Sequence, residues 1–361
     1  MDTLDPRAAL ARFALSGELL SFERYGNGHI NDTLLVTCAG GSVYVAQRLN
    51  KHVFPDGAAV MTNIARVLDH LARSEPDPAR RLTLIPTRDG ARFLTDDAGY
   101  HWRVYPFISG ARTIERVNEP AQARAAALAF ARFLAVLADL PGGPLATVIS
   151  GFHDTPARLA RLAAAAQADA CGRKAEVADD LAWALAQGTL AATLTGARDR
   201  GGLSDVATHN DTKINNLLME PSGVVAQCVI DLDTLMPGLP LYDFGDLVRT
   251  ASCRAAEDGA PADMIPDMSL MAGLVEGWLA GRGAALQPAE RELMPLAGAV
   301  ITYECGMRFL TDHLEGDRYF KIKRPGHNLE RARAQFALAR GIISRRDDIA
   351  RLAGTTCLHA R

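Results

Sequence analysis

The chain is 361 residues long, which is long for one hydrophobic core and predicts two packed units. Its apolar share of 48% is ordinary for a soluble globular protein, and a net charge of −3 offers no basic surface to nucleic acid or an anionic membrane. No apolar run approaches the roughly 20 residues of a membrane helix, and Met1 to Leu20 lacks the basic start and apolar stretch of a signal peptide, so a cytoplasmic home is expected.

The first hundred residues read as strand-rich. Thr33 to Thr37 and Ser42 to Leu49 are apolar, β-branched runs around Ala39-Gly40-Gly41, a hairpin signal. Between Pro55 and Arg73 the period turns helical, with Val60, Ile64, Val67, Leu68 and Leu71 on one face. Leu82 to Pro86, Ala91 to Thr95 and His101 to Ile108 are predicted as further strands. Asp89-Gly90 and Asp96-Asp97-Ala98-Gly99 supply the turns between them. Asn118-Glu119-Pro120 then starts a helix whose apolar residues, Leu128 to Leu140, run nearly all round it, so it is expected to be buried. Most of the remainder reads as helical. The exception is Leu217-Leu218-Met219 and Val224 to Ile230, which flank Glu220-Pro221-Ser222-Gly223 as a hairpin. The change of character places a boundary after Ile108, giving units 1–108 and 109–361. The six cysteines, Cys38, Cys171, Cys228, Cys253, Cys305 and Cys357, contain no Cys-x-x-Cys pair. That argues against zinc and against a disulfide framework.

The densest chemistry lies in His209-Asn210-Asp211-Thr212-Lys213-Ile214-Asn215-Asn216, which fits the kinase catalytic-loop pattern H-x-D-x-x-x-x-N. Phosphoryl transfer needs a group to accept or orient a hydroxyl proton and magnesium to neutralise phosphate charge. Asp211 suits the first task, and the amide oxygen of Asn216 suits the metal. A hairpin follows and ends in Val229-Ile230-Asp231-Leu232-Asp233, where kinases place a second metal carboxylate. Asp231 is the candidate, with a turn or cap aspartate as its alternative. Gly26-Asn27-Gly28-His29-Ile30-Asn31 stands where kinases place a glycine-rich phosphate loop, Gly26 and Gly28 allowing backbone N–H groups to approach phosphate. Val45-Ala46-Gln47-Arg48-Leu49 is similar to the third-strand motif V-A-I-K. Ala46 would then face adenine and Arg48 would replace the phosphate-pairing lysine; an edge-strand surface arginine is the alternative.

His209 to Asn216, Val229 to Gly238 and Tyr242-Asp243-Phe244-Gly245-Asp246 together resemble the aminoglycoside-phosphotransferase superfamily. Within it the chain is similar to the N-acetylhexosamine 1-kinases. The shared strings are Gly28-His29-Ile30-Asn31-Asp32-Thr33, Asn210-Asp211-Thr212-Lys213, Asp231-Leu232-Asp233-Thr234 with Met236-Pro237-Gly238, Arg308-Phe309-Leu310-Thr311-Asp312, Glu315-Gly316-Asp317 with Tyr319-Phe320, and Asn328-Leu329. The resemblance implies an α+β, two-lobed protein-kinase-like fold: a small antiparallel-sheet nucleotide lobe, 1–108, and a larger, mainly helical lobe, 109–361. It implies ATP and Mg2+, Asp211 as base, Asn216 and Asp231 on the metal, and phosphate transfer to the anomeric hydroxyl of a free sugar. One departure is plain: between Gly57 and Arg73 the only acid available to pair a strand cation is Asp69.

The acceptor class has a separate argument. The stretch from Arg308 to Arg333 holds Arg308, Arg318, Lys321, Lys323, Arg324, Arg331 and Arg333 against Asp312, Glu315, Asp317 and Glu330. That balance disfavours a polycation and suits a neutral or anionic sugar held by charge-assisted hydrogen bonds. His29, Asp233 and Arg308 are the candidate acceptor residues, with a purely structural role as the alternative for each. Asp243 and Asp246 are read as structural, holding the loop or capping a helix. A kinase of another small alcohol, such as an amino alcohol or antibiotic, and a nucleotide-binding pseudokinase are the competing functions. The basic tail argues against cationic acceptors, and the intact Asp211, Asn216 and Asp231 set argues against the pseudokinase.

Overall fold

The computed structural model describes residues 5–26 and 30–355. A short helix, α1 (Arg7–Leu10), precedes β1 (Leu19–Arg24), β2 (Asp32–Cys38) and β3 (Val43–Arg48). The β2–β3 turn uses Gly40 and Gly41 at φ +83° and +84°, the positive pair that a tight hairpin requires. Helix α2 (Gly57–Ser74) follows, its first turn capped by Asp56 Oδ1 accepting from Ala59 N at 2.9 Å. Then come β4 (Leu94–Thr95) and β5 (His101–Pro106), completing an antiparallel sheet of order β1-β2-β3-β5-β4.

The two faces of this sheet are distinct because side chains alternate along each strand. One face carries Leu34, Val36, Tyr44, Ala46, Trp102 and Val104, covered by Leu10 and Phe13 of the N-terminal segment. Gln47, Arg103 and Tyr105 point to the other face, toward α2 and the helical lobe. The segment Leu82–Pro86, predicted as a strand, stays outside the sheet. It runs beside β5 and donates Ile85 N to Val104 O at 2.8 Å, but Pro86 has no N–H to extend a ladder.

The second lobe begins with α3 (Pro120–Val136) and continues through α4 (Thr155–Ala168), α5 (Ala178–Leu185), α6 (Gly188–Ala191) and α7 (Thr193–Asp199). Four short strands follow: β6 (Val206–Thr208), β7 (Leu217–Met219), β8 (Ala226–Val229) and β9 (Met236–Gly238). β6 pairs with β9, and β7 pairs with β8 as the expected hairpin. Helices α8 (Pro240–Ala251), α9 (Met268–Arg282), α10 (Pro288–Leu314), α11 (His327–Ser344) and α12 (Arg346–Ala353) complete it. The stretch Pro120–Asp139 has a mean hydropathy of 1.4 and is long and apolar enough to cross a membrane by length and composition, which corrects the expectation that no such run exists. Here α3 instead packs along α9. Gly273, Gly277 and Gly281 recur every fourth residue on α9, and a Cβ on Gly277 would lie 2.2 Å from Arg124 O of α3. The three glycines set how closely the two helices approach. The main core runs from Val60, Ile64 and Val67 of α2 through Phe130 and Leu134 of α3 to Leu217, Phe244 and Trp278.

Candidate active site

The segment between β6 and β7 is held by backbone-directed hydrogen bonds. Asp243, buried on α8, accepts from His209 N at 3.0 Å and Asn210 N at 2.7 Å. Burial pushes its carboxyl up to about 6, against the pull of those two N–H donors. Asn210 sits at φ +64°, a left-handed conformation that asparagine tolerates, and its Nδ2 reaches Thr234 O at 3.0 Å. His209 takes Asp211 N on Nδ1 at 3.3 Å and lies 2.9 Å from Ile230 O through Nε2, which fixes the neutral tautomer protonated at Nε2. Gly238 makes room for the turn, since a Cβ there would fall 2.6 Å from Asn210 Oδ1. The structural reading of Asp243 therefore has a definite geometry. Asp246 does not cap; it pairs with Arg249 at 2.8 Å.

Asp211 and Asn216 come together in this frame. Asn216 Nδ2 donates to Asp211 O at 2.8 Å and to Asp211 Oδ2 at 3.1 Å, and Lys213 Nζ lies 3.0 Å from Asp211 Oδ1. Burial would raise the Asp211 carboxyl, but the Lys213 ammonium outweighs it and holds the carboxyl below its ordinary value. Ile230 N donates to Asn216 O at 3.0 Å, which brings Asp231 alongside. Asp231 is left-handed at φ +60°, ψ +58° and is exposed. Surrounding protein, then the carboxylates of Asp233 and Asp211, push its carboxyl up to about 6. A divalent cation would relieve that accumulation of negative charge. No group of three or more His, Cys, Asp or Glu side chains able to hold a metal occurs among the described residues. The donors present fit magnesium, which takes one or two protein carboxylates and completes its shell with water and substrate phosphates.

The roof of the cleft differs from the sequence reading. Ala46 is fully buried beneath Leu10 and Phe13, on the face turned away from Asp231. Arg48 shares that face. It donates to Asp32 Oδ2 through Nε at 3.0 Å and Nη2 at 2.6 Å and lies 4.3 Å from the Tyr100 ring. The strand thus runs one residue out of phase with V-A-I-K, and one residue in a strand reverses the face. Gln47 is the β3 residue that points inward, and the inward cation is Arg103 of β5. Gln47 Oε1 accepts from Arg103 Nε at 2.9 Å, and Arg103 pairs with Asp233. Asp233, read as an acceptor residue, is thereby buried and committed; its other oxygen accepts from Asn31 Nδ2. Asp69 pairs with Arg92 on the outside of α2. Asn63 serves as the helix's tie instead, donating to Leu235 O and Ala146 O at 2.8 Å each. Gly26 adopts φ +76°, a conformation suited to glycine, at the end of β1. Gly28 and His29 lie outside the described residues.

On the other side stands Arg308. Its guanidinium lies 5.7 Å from the Phe152 ring and 5.5 Å from the Phe320 ring, distances suited to cation–π contact. The Phe320 loop is shaped by Asp312, which accepts from Arg318 N, Tyr319 N and Phe320 N at 2.8–2.9 Å. Not all of the basic stretch faces this wall: Arg324 pairs with Asp258 and Glu330, and Arg333 with Asp180. One turn before Arg308 on α10, Glu304 meets His153 Nδ1 at 2.9 Å and accepts from Thr155 Oγ1 at 2.6 Å. His153 Nε2 in turn lies 3.0 Å from Asn210 O. Both ring nitrogens of His153 face acceptors, so both carry protons and the ring is an imidazolium. Neither His153 nor Arg103 was singled out in the sequence. Arg103 had a signal, a charge inside the otherwise apolar run Trp102-Arg103-Val104-Tyr105. His153 had none, because its partner is 57 residues away.

The family model "Phosphotransferase enzyme family" matches residues 21–296. Among solved structures, an aminoglycoside phosphotransferase from Alicyclobacillus acidocaldarius aligns with a TM-score of 0.62 at 17% identity, covering 98% of each chain. A microcompartment-associated aminopropanol kinase aligns at 0.57 and 18%, covering 94% of this chain and 97% of that one. A spectinomycin phosphotransferase in complex with ADP and spectinomycin aligns at 0.55 and 12%, covering 90% and 92%. At these identities the likeness is one of fold, and it matches the small antiparallel sheet and larger helical lobe described above.

Proposed function

We propose that this chain, which belongs to the phosphotransferase enzyme family, is a cytoplasmic kinase that moves the γ-phosphoryl group of ATP to the anomeric hydroxyl of a free N-acetylhexosamine. The family makes it a small-molecule phosphotransferase. The site supports the roles expected of that chemistry. Asp211, kept anionic by Lys213, accepts or orients the proton of the acceptor hydroxyl. The acceptor oxygen then bonds to the γ-phosphorus as the bond to ADP breaks. Asn216 and Asp231 would hold Mg2+, which when bound neutralises phosphate charge. The Gly26-x-Gly28 loop would cover the phosphates from the sheet lobe, 1–108. Ala46 and Arg48 have no part in this reading.

The observation that carries the acceptor class is the Arg308 wall. Glu304, one turn away on α10, is already committed to His153 and Thr155, so the wall presents guanidinium and aromatic rings. Such a wall stacks a sugar ring and donates hydrogen bonds to its oxygens; it does not neutralise a polycation. The full-length resemblance to the N-acetylhexosamine 1-kinases supports the same acceptor. ADP release measured over N-acetylglucosamine, N-acetylgalactosamine, aminopropanol and aminoglycosides tests this. Turnover of the N-acetylhexosamines is expected, with a product phosphorus signal coupled to the anomeric proton. Phosphate at the 6-hydroxyl, or turnover only with aminopropanol or aminoglycosides, would overturn the acceptor.

A further inference from the structure

We propose that the buried Arg103–Asp233 ion pair is a positioning pair for magnesium-nucleotide binding, tying the sheet lobe to the loop that carries Asp231, and is not part of the acceptor site. The proposal rests on Asp231 being a metal ligand, as read above. Three observations carry it. First, both side chains are almost sealed from solvent, at 1% and 5% exposure, so neither reaches a ligand directly. A buried charge needs its partner, and each of these is the other's.

Second, the pair lies where several segments meet. Gln47 of β3 fixes the guanidinium through Nε at 2.9 Å. Asp233 accepts from Asn31, whose Oδ1 accepts from Asn50 N at 3.0 Å, so the end of the glycine-bearing segment meets the Asp231 loop at this carboxylate and the strand exit joins them through Asn31. Third, Asp231 holds a left-handed backbone that a non-glycine residue adopts only when its surroundings impose it. The residues just after it impose it: Asp233 is pinned by Arg103, and Thr234 Oγ1 donates to His209 O at 2.6 Å. The usual strand cation cannot do this, because Arg48 points to the opposite face.

The test is calorimetry of ADP binding across a magnesium titration, on the full chain and its Asp231→Asn, Arg103→Met, Arg103→Lys, Asp233→Asn and Asn31→Ala variants. Acceptor KM and thermal midpoint are measured in parallel. In the wild type, nucleotide affinity is expected to depend on magnesium, and Asp231→Asn to remove most of that dependence. Arg103→Met and Asp233→Asn should each raise the Kd of Mg-ADP and the magnesium midpoint about tenfold, with acceptor KM changed less than about twofold. Their double variant should be no worse than the worse single one. Arg103→Lys should recover part of the loss, and Asn31→Ala should shift Kd about threefold with the fold intact. If Arg103→Met does not fold, Asn31→Ala and Gln47→Leu decide the matter by the same readout. A lower thermal midpoint with unchanged Mg-ADP affinity would reduce the pair to a structural contact and overturn the proposal, as would a shift confined to acceptor KM. Wild-type affinity indifferent to magnesium would bring down the reading of Asp231 and this inference with it.

Discussion

The two walls of the cleft are built on different principles. Around Asp211 and Asp231 nearly every polar side chain is committed to a backbone group: Asp243 to two N–H groups, Asn210 and Thr234 to carbonyls, His209 to one of each. Around Arg308 the contacts are guanidinium against ring, with the Phe320 loop fixed from behind by Asp312. Backbone-directed bonds fix position to a fraction of an ångström, which phosphoryl transfer requires of base and metal ligands. Ring-face contacts fix a side chain less tightly and leave its donors available. One wall is fixed by its own backbone bonds, and the other keeps its guanidinium against ring faces.

Breaking the first wall should cost most. Asp211→Asn is expected to lower kcat about a thousandfold while Mg-ATP affinity stays within about twofold, because the base serves the acceptor and not the nucleotide. Steady-state kinetics with calorimetry would check it, and equal losses in both quantities would contradict the separation. Next comes the His153–Glu304 pair. His153→Leu should destabilise the fold by about 3–5 kcal/mol in denaturant unfolding, because it leaves a buried carboxylate unpaired.

The pH dependence of that pair follows from its shifts. The His153 value is raised: burial lowers it, but Glu304 and the Asn210 carbonyl outweigh that. Its contribution is therefore fully present below the ordinary value of about 6.5 and is lost as pH rises through the higher folded value. Glu304 is held below its ordinary value, since His153 and Thr155 outweigh its burial, so its contribution is lost only as pH falls through that depressed value. His153→Gln should remove the alkaline decline in stability between wild-type curves recorded at neutral and higher pH; an unchanged alkaline limb would exclude the imidazolium.

Smaller effects sharpen the comparison. Gly277→Ala should lower stability by about 1–3 kcal/mol, since its Cβ would meet the carbonyl of Arg124, without altering either KM. Arg308→Ala should raise acceptor KM about tenfold, close to 1.4 kcal/mol, and leave ATP KM unchanged. An effect on ATP instead would move Arg308 to the nucleotide side.

The same division explains what could be read from the chain. The loop from His209 to Asn216 was legible because its chemistry sits within eight consecutive residues, and the hairpin after it put Asp231 at a predictable distance. Arg48 was misread because a motif match does not fix strand phase; the run Val43–Arg48 fits either face until the cover over Ala46 is known. Asp233 looked available because its partner, Arg103, lies 130 positions earlier, inside the expected strand His101 to Ile108. The glycine stripe of α9 has a visible four-residue spacing, but its meaning depends on α3 lying against it.

Asn63 has one further consequence. It is 1% exposed, and it fastens α2 to Ala146 and Leu235 while Val60, Ile64 and Val67 enter the core shared with Phe130 and Trp278. In the chain α2 is flanked by strands of the sheet lobe; in packing it is a part of the helical lobe. The chain and the interior thus divide the molecule along different lines. An excised 1–108 would be no miniature of the nucleotide lobe, because it would carry one bare apolar helix into water and leave behind a matching trench.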